Sequence, residues 1–159
     1  MARTIRRATV DDVDDLVPLF DAYRGFYGQT SDPAGARAFL RARLRAGDSV
    51  LFLAARDGEW SGGATGFVQL YPSFSSVRMR PIWIVNDLYV DVAYRRQGIA
   101  RMLMERARHH GEDTGAALLV LETGKENEAA ARLYRDLGYQ MEEAFDRYEL
   151  EVDVEGRPT

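Results

Sequence analysis

The sequence contains no cysteine, and only one of its 21 basic residues, Lys125, is a lysine. The lack of cysteine excludes disulfides, a thiolate nucleophile and cysteine-ligated metal. Histidine is nearly absent too: His109 and His110 stand side by side, near the end of an expected helix, where a solvated cap is the expected role rather than a base. No apolar run approaches the roughly 18 to 20 residues that a membrane helix needs. The opening "MARTIRRATVDD" is charged and lacks the apolar middle of a signal peptide. A cytoplasmic protein with no membrane partner is therefore expected. The net charge of −4 argues against broad nucleic-acid binding, so any anion site must be local. Two common phosphate-binding signatures are also missing. There is no G-x-x-x-x-G-K-[ST] and no G-x-G-x-x-G after a strand, which leaves an NTPase loop and a dinucleotide fold unsupported.

What is present is the balance of a soluble globular chain: 159 residues, 46% apolar and 29% charged. This fits one domain over 1–159, with an ordered core at about 3–153. A strand is expected at Thr4 to Ala8. Thr9 and Asp12 resemble a helix start, followed by Val13, Leu16, Val17, Phe20 and Tyr23 at helical spacing. A second helix is bracketed by Asp32, Pro33 and Gly47, with Phe39, Leu40 and Leu44 as its buried stripe. Three strands follow, Ser49 to Ala55, Ala64 to Pro72 and Pro81 to Val90, with a turn around Asp57-Gly58 after the first. A helix from about Gly98 to His110 comes next, with Ile99, Met102, Leu103 and Ala107 inward. A continuous apolar run at Ala116 to Glu122 reads as a central strand, Glu126 to Gly138 as a helix, and the tail "YQMEEAFDRYELEV" as two more strands. The order β-α-α-β-β-β-α-β-α-β-β is that of an α/β or α+β fold, a mixed, mostly antiparallel sheet with helices on both faces.

The densest chemistry lies in "YRRQGIA", Tyr94 to Ala100, where a strand hands over to a helix. The first turn of a helix carries free N–H groups and partial positive charge, so an anion can sit there. Gly98 has no Cβ to hinder its approach, and Arg95, Arg96 and Gln97 add donors. A diphosphate cradle is one reading; a charged surface turn that caps a helix is the other.

The spacing Arg95-x-x-Gly98-x-Ala100, after "LYVDVAY", is similar to the acyl-coenzyme-A-binding motif of the GNAT superfamily of N-acetyltransferases. A second stretch, "ENEAAARLYRDLGY" (Glu126 to Tyr139), resembles a downstream motif of the same family, and the element order matches along the whole chain. "FYG", "QLYPSFSS" and "NDLYV" resemble the subgroup of histone and polyamine acetyltransferases. The resemblance implies acetyl-coenzyme A as cofactor. Its diphosphate would lie on the backbone of Gln97, Gly98, Ile99 and Ala100, helped by Arg95 and Arg96. It also implies a bulge in the strand ending at Val90, a sheet splayed at its centre, and backbone pairing of Leu88, Tyr89 and Val90 with the pantetheine arm. Asn127 and Ala130 would complete the cofactor contacts.

Acetyl transfer to an amine needs a neutral amine, a polarised carbonyl and a protonated leaving thiolate. The family implies a backbone N–H near Val90 for the carbonyl. Tyr134 is the expected proton donor. It follows Asn127 by seven residues, two helical turns on one face. A phenol with pKa near 10 opposes a thiol near 8.5, so full transfer is uphill by only about 2 kcal/mol. Packing beside Leu133 and Leu137 is the competing role. Glu122 is the expected base, with Asp87 as a second candidate; each has a structural alternative as a cap or ion-pair partner. Tyr27, Phe74 and Asp87 are expected to face the acceptor, through cation–π and charge contacts with an amine; the aromatics could equally form a lid, core or dimer surface. No metal is called for. The resemblance also implies a homodimer through Ala144 to Val152. The function expected is acetyl transfer from the cofactor to a primary amine: a small amine, polyamine, amino acid or protein lysine. The alternative is a non-catalytic acyl-coenzyme-A sensor on the same fold.

Overall fold

The computed structural model describes residues 3–56 and 58–152, and the chain divides into two compact units, Met1–Gly124 and Lys125–Thr159. Asp57 of the expected turn, and Asp153 of the expected core, lie outside the described residues.

In the first unit five strands form one sheet in the order β1 (Arg3–Arg7), β2 (Val50–Arg56), β3 (Ala64–Ser75), β4 (Arg80–Val90), β5 (Leu119–Val120). The first four pair antiparallel, and β4 pairs parallel with β5. Alternation along β2 sends its side chains to opposite faces. Leu51 and Leu53 join a core with Leu16, Val17 and Phe20 of α1 (Val13–Phe26) and Leu40 of α2 (Pro33–Ala46). Phe52, between them, meets His110 of α3 (Ile99–Asp113) at 5.6 Å between ring centroids. Helices therefore cover both faces, as the sequence pattern demands.

The caps follow from local chemistry. The Thr9 side chain accepts from Asp11 N, and Asp12 returns a bond to Thr9 N at 2.7 Å, a capping box that opens a short 3-10 turn before α1. Asp32 accepts from Gly35 N at 2.9 Å, Pro33 opens α2, and Gly47 closes it in the left-handed region (φ +66°). Phe39 departs from its expected place. It is 42% exposed and stacks on Phe20 at 5.8 Å, so it covers the core's edge rather than filling its interior.

Two larger departures concern the C-terminal part. The expected central strand is reduced to Leu119 and Val120, which pair only with β4 among the described residues. The second unit holds α4 (Glu128–Asp136), and its residues 139–152 form no strand. Their alternating apolar side chains, including Tyr148, Leu150 and Val152, stay exposed. A strand pattern names a face to bury, but it becomes a strand only with a ladder partner, and none is present for this segment among the described residues.

His110 also differs from its expected role. It is 8% exposed, with Nε2 buried and without a hydrogen-bond partner among the described residues, and it packs on Trp83 at 4.7 Å. Burial first, then the nearby positive charges of Arg7 and Arg106, hold its pKa below the usual histidine range; Asp113 opposes weakly. The unfolded chain therefore binds a proton more readily, and stability falls as pH drops through about 6.5. Burial pushes the Asp87 carboxyl the other way, so its linkage has the opposite sign. The expected result is that the unfolding midpoint of His110→Phe falls less than that of the wild type between pH 7.5 and 5.5 in calorimetry. Parallel pH profiles would show that His110 carries no such linkage.

Candidate active site

The handover from β4 to α3 is built by its backbone. After β4 a 3-10 turn at Val92–Tyr94 is capped by Asp91, whose side chain accepts from Ala93 N at 2.8 Å. Arg96 (φ +60°) and Gly98 (φ +80°) then adopt left-handed conformations on either side of Gln97. Gly98 is the N-cap of α3 and supplies no side-chain cap. The first bond it receives is Met102 N to Gly98 O at 3.1 Å. The amides of Ile99 and Ala100 thus open the helix without acceptors inside it. Among the described residues, a Cβ at Gly98 would meet no atom beyond its chain neighbours within 4 Å. Open space, helix-start amides and Arg96 together fit a diphosphate.

Arg95 is folded back. Its Nε donates to Val90 O at 3.0 Å, and its guanidinium lies 5.5 Å from the centroid of the Tyr89 ring. From the opposite side Arg3 of β1 reaches Gln97, with Nη1 to the carbonyl at 2.6 Å and Nη2 to the side-chain oxygen at 2.5 Å.

The strand that leads into this turn carries an extra residue. Gln69 pairs with Asp87 and Leu70 with Val85, which leaves Asn86 as a bulge. β5 pairs only with Trp83 and Ile84. Beyond Ile84, β4 runs on to Val90 with a partner on the β3 side alone among the described residues. Leu88, Tyr89 and Val90 therefore offer a backbone edge to an extended ligand, with the Val90 carbonyl already engaged by Arg95.

Next to the bulge lies a buried polar group that the sequence hardly announced. Asp87 is 2% exposed and Gln69 is fully buried. Gln69 donates its side-chain N–H to Asp87, and Asn86 Nδ2 donates to the other carboxylate oxygen at 2.7 Å. The Tyr23 hydroxyl donates to the Asn86 carbonyl at 3.3 Å. Burial raises the Asp87 pKa above the usual carboxylate range, while the bonds from Gln69 and Asn86, and the nearby Tyr23 hydroxyl, pull the other way. Burial and the Asp87 charge push the Tyr23 and Tyr71 hydroxyls well above the ordinary phenol value. The signal for Gln69 was its place in "GFVQLY": an amide amid an apolar strand needs a buried partner. Tyr23 read both as core and, like Tyr71, as one of several aromatics near the acceptor; neither read as a neighbour of a buried carboxyl.

The remaining predicted residues are distributed unevenly. Tyr27 is half-exposed, its ring 5.1 Å from that of Tyr23 and so next to this cluster. Phe74 is 78% exposed and pairs with Pro81 near the end of the β3–β4 hairpin. It stands five positions along β3 from Gln69, about 16 Å at ~3.3 Å per residue. Glu122 is exposed and lies beyond β5 rather than within a strand. In the second unit, the side-chain oxygen of Asn127 caps α4 by accepting from Ala130 N at 3.2 Å. That leaves the amide nitrogen as its donor. Tyr134 lies two turns on, its ring 5.9 Å from that of Tyr139.

The chain has counterparts among known proteins. The model of the acetyltransferase (GNAT) family matches residues 16–139, and the chain belongs to that family. It is an N-acetyltransferase, and its cofactor is acetyl-coenzyme A. An uncharacterized N-acetyltransferase of Bacillus subtilis (strain 168), YhfO, is 43% identical over 148 residues, 93% of this chain and 97% of its own. The crystal structure of a probable acetyltransferase superposes with a TM-score of 0.88 at 40% identity, covering 96% of this chain and 99% of that one. An aminoglycoside N-acetyltransferase, AAC(6')-Iy, solved in complex with coenzyme A, shares the fold with a TM-score of 0.77 at 19% identity. That match covers 95% of this chain and 96% of the other.

Proposed function

We propose that the protein moves an acetyl group from acetyl-coenzyme A to a primary amine by direct attack on the bound thioester. The observation that carries this reading is the coincidence of two features on one segment. Among the described residues an edge of β4 is left open after Ile84, and it runs straight into a helix start whose glycine leaves space for a diphosphate. The amides of Gln97, Gly98, Ile99 and Ala100 would hold that diphosphate, with Arg96 beside them. Arg95 would join once released from Val90 O. Leu88 to Val90 would line the pantetheine arm, and Asn127 and Ala130 are proposed as further cofactor contacts. Bound acetyl-coenzyme A supplies an activated acyl group and a thiolate that can leave. In this reading an N–H near Val90 polarises the acyl carbonyl, and Tyr134 gives its proton to the departing sulfur. Glu122 takes a proton from the amine, directly or through water.

Asp87 supplies the attraction for the ammonium form of the acceptor, with the Tyr27 face nearby; Phe74 would touch only an acceptor long enough to reach the hairpin end. "FYG", "QLYPSFSS" and "NDLYV" favour acceptors of the kind used by histone and polyamine acetyltransferases. A second reading makes Asp87 itself the base, since burial raises its pKa toward the range a base needs. Asp87→Asn separates the two roles. A binding role predicts an acceptor KM raised at least about tenfold with little change in kcat. A base role predicts that kcat falls and loses its acidic limb. In both cases coenzyme A affinity is unchanged, and a variant equal to wild type removes Asp87 from the site.

A homodimer belongs to the same proposal. The exposed apolar side chains of Phe145, Tyr148, Leu150 and Val152 support it, because such a surface suits self-association. A cytoplasmic location is also part of it, since an enzyme that consumes acetyl-coenzyme A works where that cofactor is made. The test of the function is a panel of diamines, polyamines, amino acids and lysine peptides with acetyl-coenzyme A, read by release of free thiol. The expected result is acceptor-dependent release. Binding of the cofactor with no release for any amine would favour the sensor.

A further inference from the structure

We infer that Arg3 is a positioning residue for the cofactor-binding turn: it holds Gln97 so that the amides following it face the diphosphate in a fixed arrangement. The inference rests on the functional reading above. Arg3 is the first described residue of β1, 94 positions away from Gln97 in sequence. Its guanidinium forks onto one residue, taking both the main-chain carbonyl (2.6 Å) and the side-chain oxygen (2.5 Å) of Gln97. A planar fork with two parallel donors fixes orientation as well as distance.

The turn needs such a support for two reasons. Gln97 is flanked by two left-handed residues, and one of them, Arg96, carries a side chain that disfavours φ +60°. An alternative backbone path is therefore close in energy unless something selects this one. Packing among the described residues also gives the turn little support on the side that faces Arg3. A half-open pocket of about 290 Å³ there is lined by Arg3, Arg56, Ala93, Tyr94 and Gln97. The Arg3 fork joins two of these lining residues directly. Arg56 steadies the other wall, its guanidinium 5.5 Å from the Tyr94 ring and 2.9 Å from Glu59. In the bound state Arg3 would touch Gln97 and not the cofactor, which separates its role from that of Arg96.

Isothermal titration with coenzyme A, on wild type, Arg3→Ala, Arg3→Lys and Gln97→Ala, tests this. Arg3→Ala should weaken coenzyme A binding about tenfold, since it removes two charge-assisted bonds that preorganise the site. Arg3→Lys keeps a cation without the fork and should fall between. Combined with Gln97→Ala, which removes one arm, Arg3→Ala should cost less than it does alone. The kcat at saturating cofactor should stay near wild type while KM for acetyl-coenzyme A rises. In the free protein, amide hydrogen exchange across residues 97–100 should speed up in Arg3→Ala, a change that general loss of stability would spread over the whole of β1 and β2. Coenzyme A affinity of Arg3→Ala equal to that of a binding wild type overturns the clamp and leaves the enzyme reading standing. A loss that vanishes when 3′-dephospho-coenzyme A is the ligand also overturns it, because Arg3 would then grip a phosphate itself. Wild type that fails to bind coenzyme A removes the cofactor reading on which the clamp rests.

Discussion

Replacing Tyr134 by phenylalanine should lower kcat about a hundredfold, the lower end of what a positioned proton donor contributes, and leave coenzyme A affinity within about threefold of wild type. The two changes separate because of what the substitution keeps. Phenylalanine preserves the ring that meets Tyr139 at 5.9 Å, and the Tyr134 carbonyl still accepts from Tyr139 N at 2.9 Å to close α4. Only the hydroxyl is lost. A thiolate leaving without a proton must be solvated by other means, and the cost falls on the transition state alone. Rates against pH give a second view. If the phenol gives up its proton, wild-type kcat should fall at alkaline pH, and the variant should lack that limb. Stopped-flow thiol release on both proteins measures this. Equal turnover would assign Tyr134 to packing.

The second large effect concerns Gly98. Gly98→Val should abolish measurable coenzyme A binding, a loss of at least about a hundredfold. Two causes add. A β-branched residue at φ +80° is strained by about 1–2 kcal/mol. Its side chain would also enter space beside the amides of Ile99 and Ala100 that no described residue beyond the chain neighbours occupies within 4 Å of the new Cβ. Gly47 provides the control. It is also left-handed (φ +66°) and also open, but it closes α2. Gly47→Val should lower the unfolding midpoint by a similar amount and leave coenzyme A affinity unchanged. Titration calorimetry with both variants separates backbone strain from ligand exclusion. If Gly98→Val bound coenzyme A like Gly47→Val, the turn would be a helix cap and nothing more.

The turn between β4 and α3 was legible as a glycine-opened helix start because glycine and helix periodicity both speak locally. So were α1, α2 and α3, whose caps Thr9, Asp32 and Gly47 behave as their chemistry requires. The bulge at Asn86 came from the resemblance alone. A register shift is a relation between two strands, and spacing within β4 cannot reveal it. The Asp87 cluster was half legible: the carboxyl was named, but its bond to Gln69 depends on which strand residue falls opposite, and its nearness to Tyr23 on how α1 packs. His110 was misplaced because α3 continues to Asp113, so its apolar face turns the histidine onto Phe52 and Trp83 instead of water. The tail shows the limit of pattern reading most plainly. Tyr148, Leu150 and Val152 alternate as a strand should, yet alternation specifies a side to bury and not the neighbour that buries it. The Arg3 contact to Gln97 has no local signal at all, because only the sheet brings residues 3 and 97 together.

One measurement bears most directly on the central claim that helix-start amides at Gly98 to Ala100 hold the cofactor: a crystal structure of the protein with coenzyme A. The account predicts diphosphate oxygens about 2.7–3.2 Å from those amide nitrogens, with the pantetheine arm alongside Leu88 to Val90. An ordered coenzyme A whose diphosphate lies on other residues would contradict it.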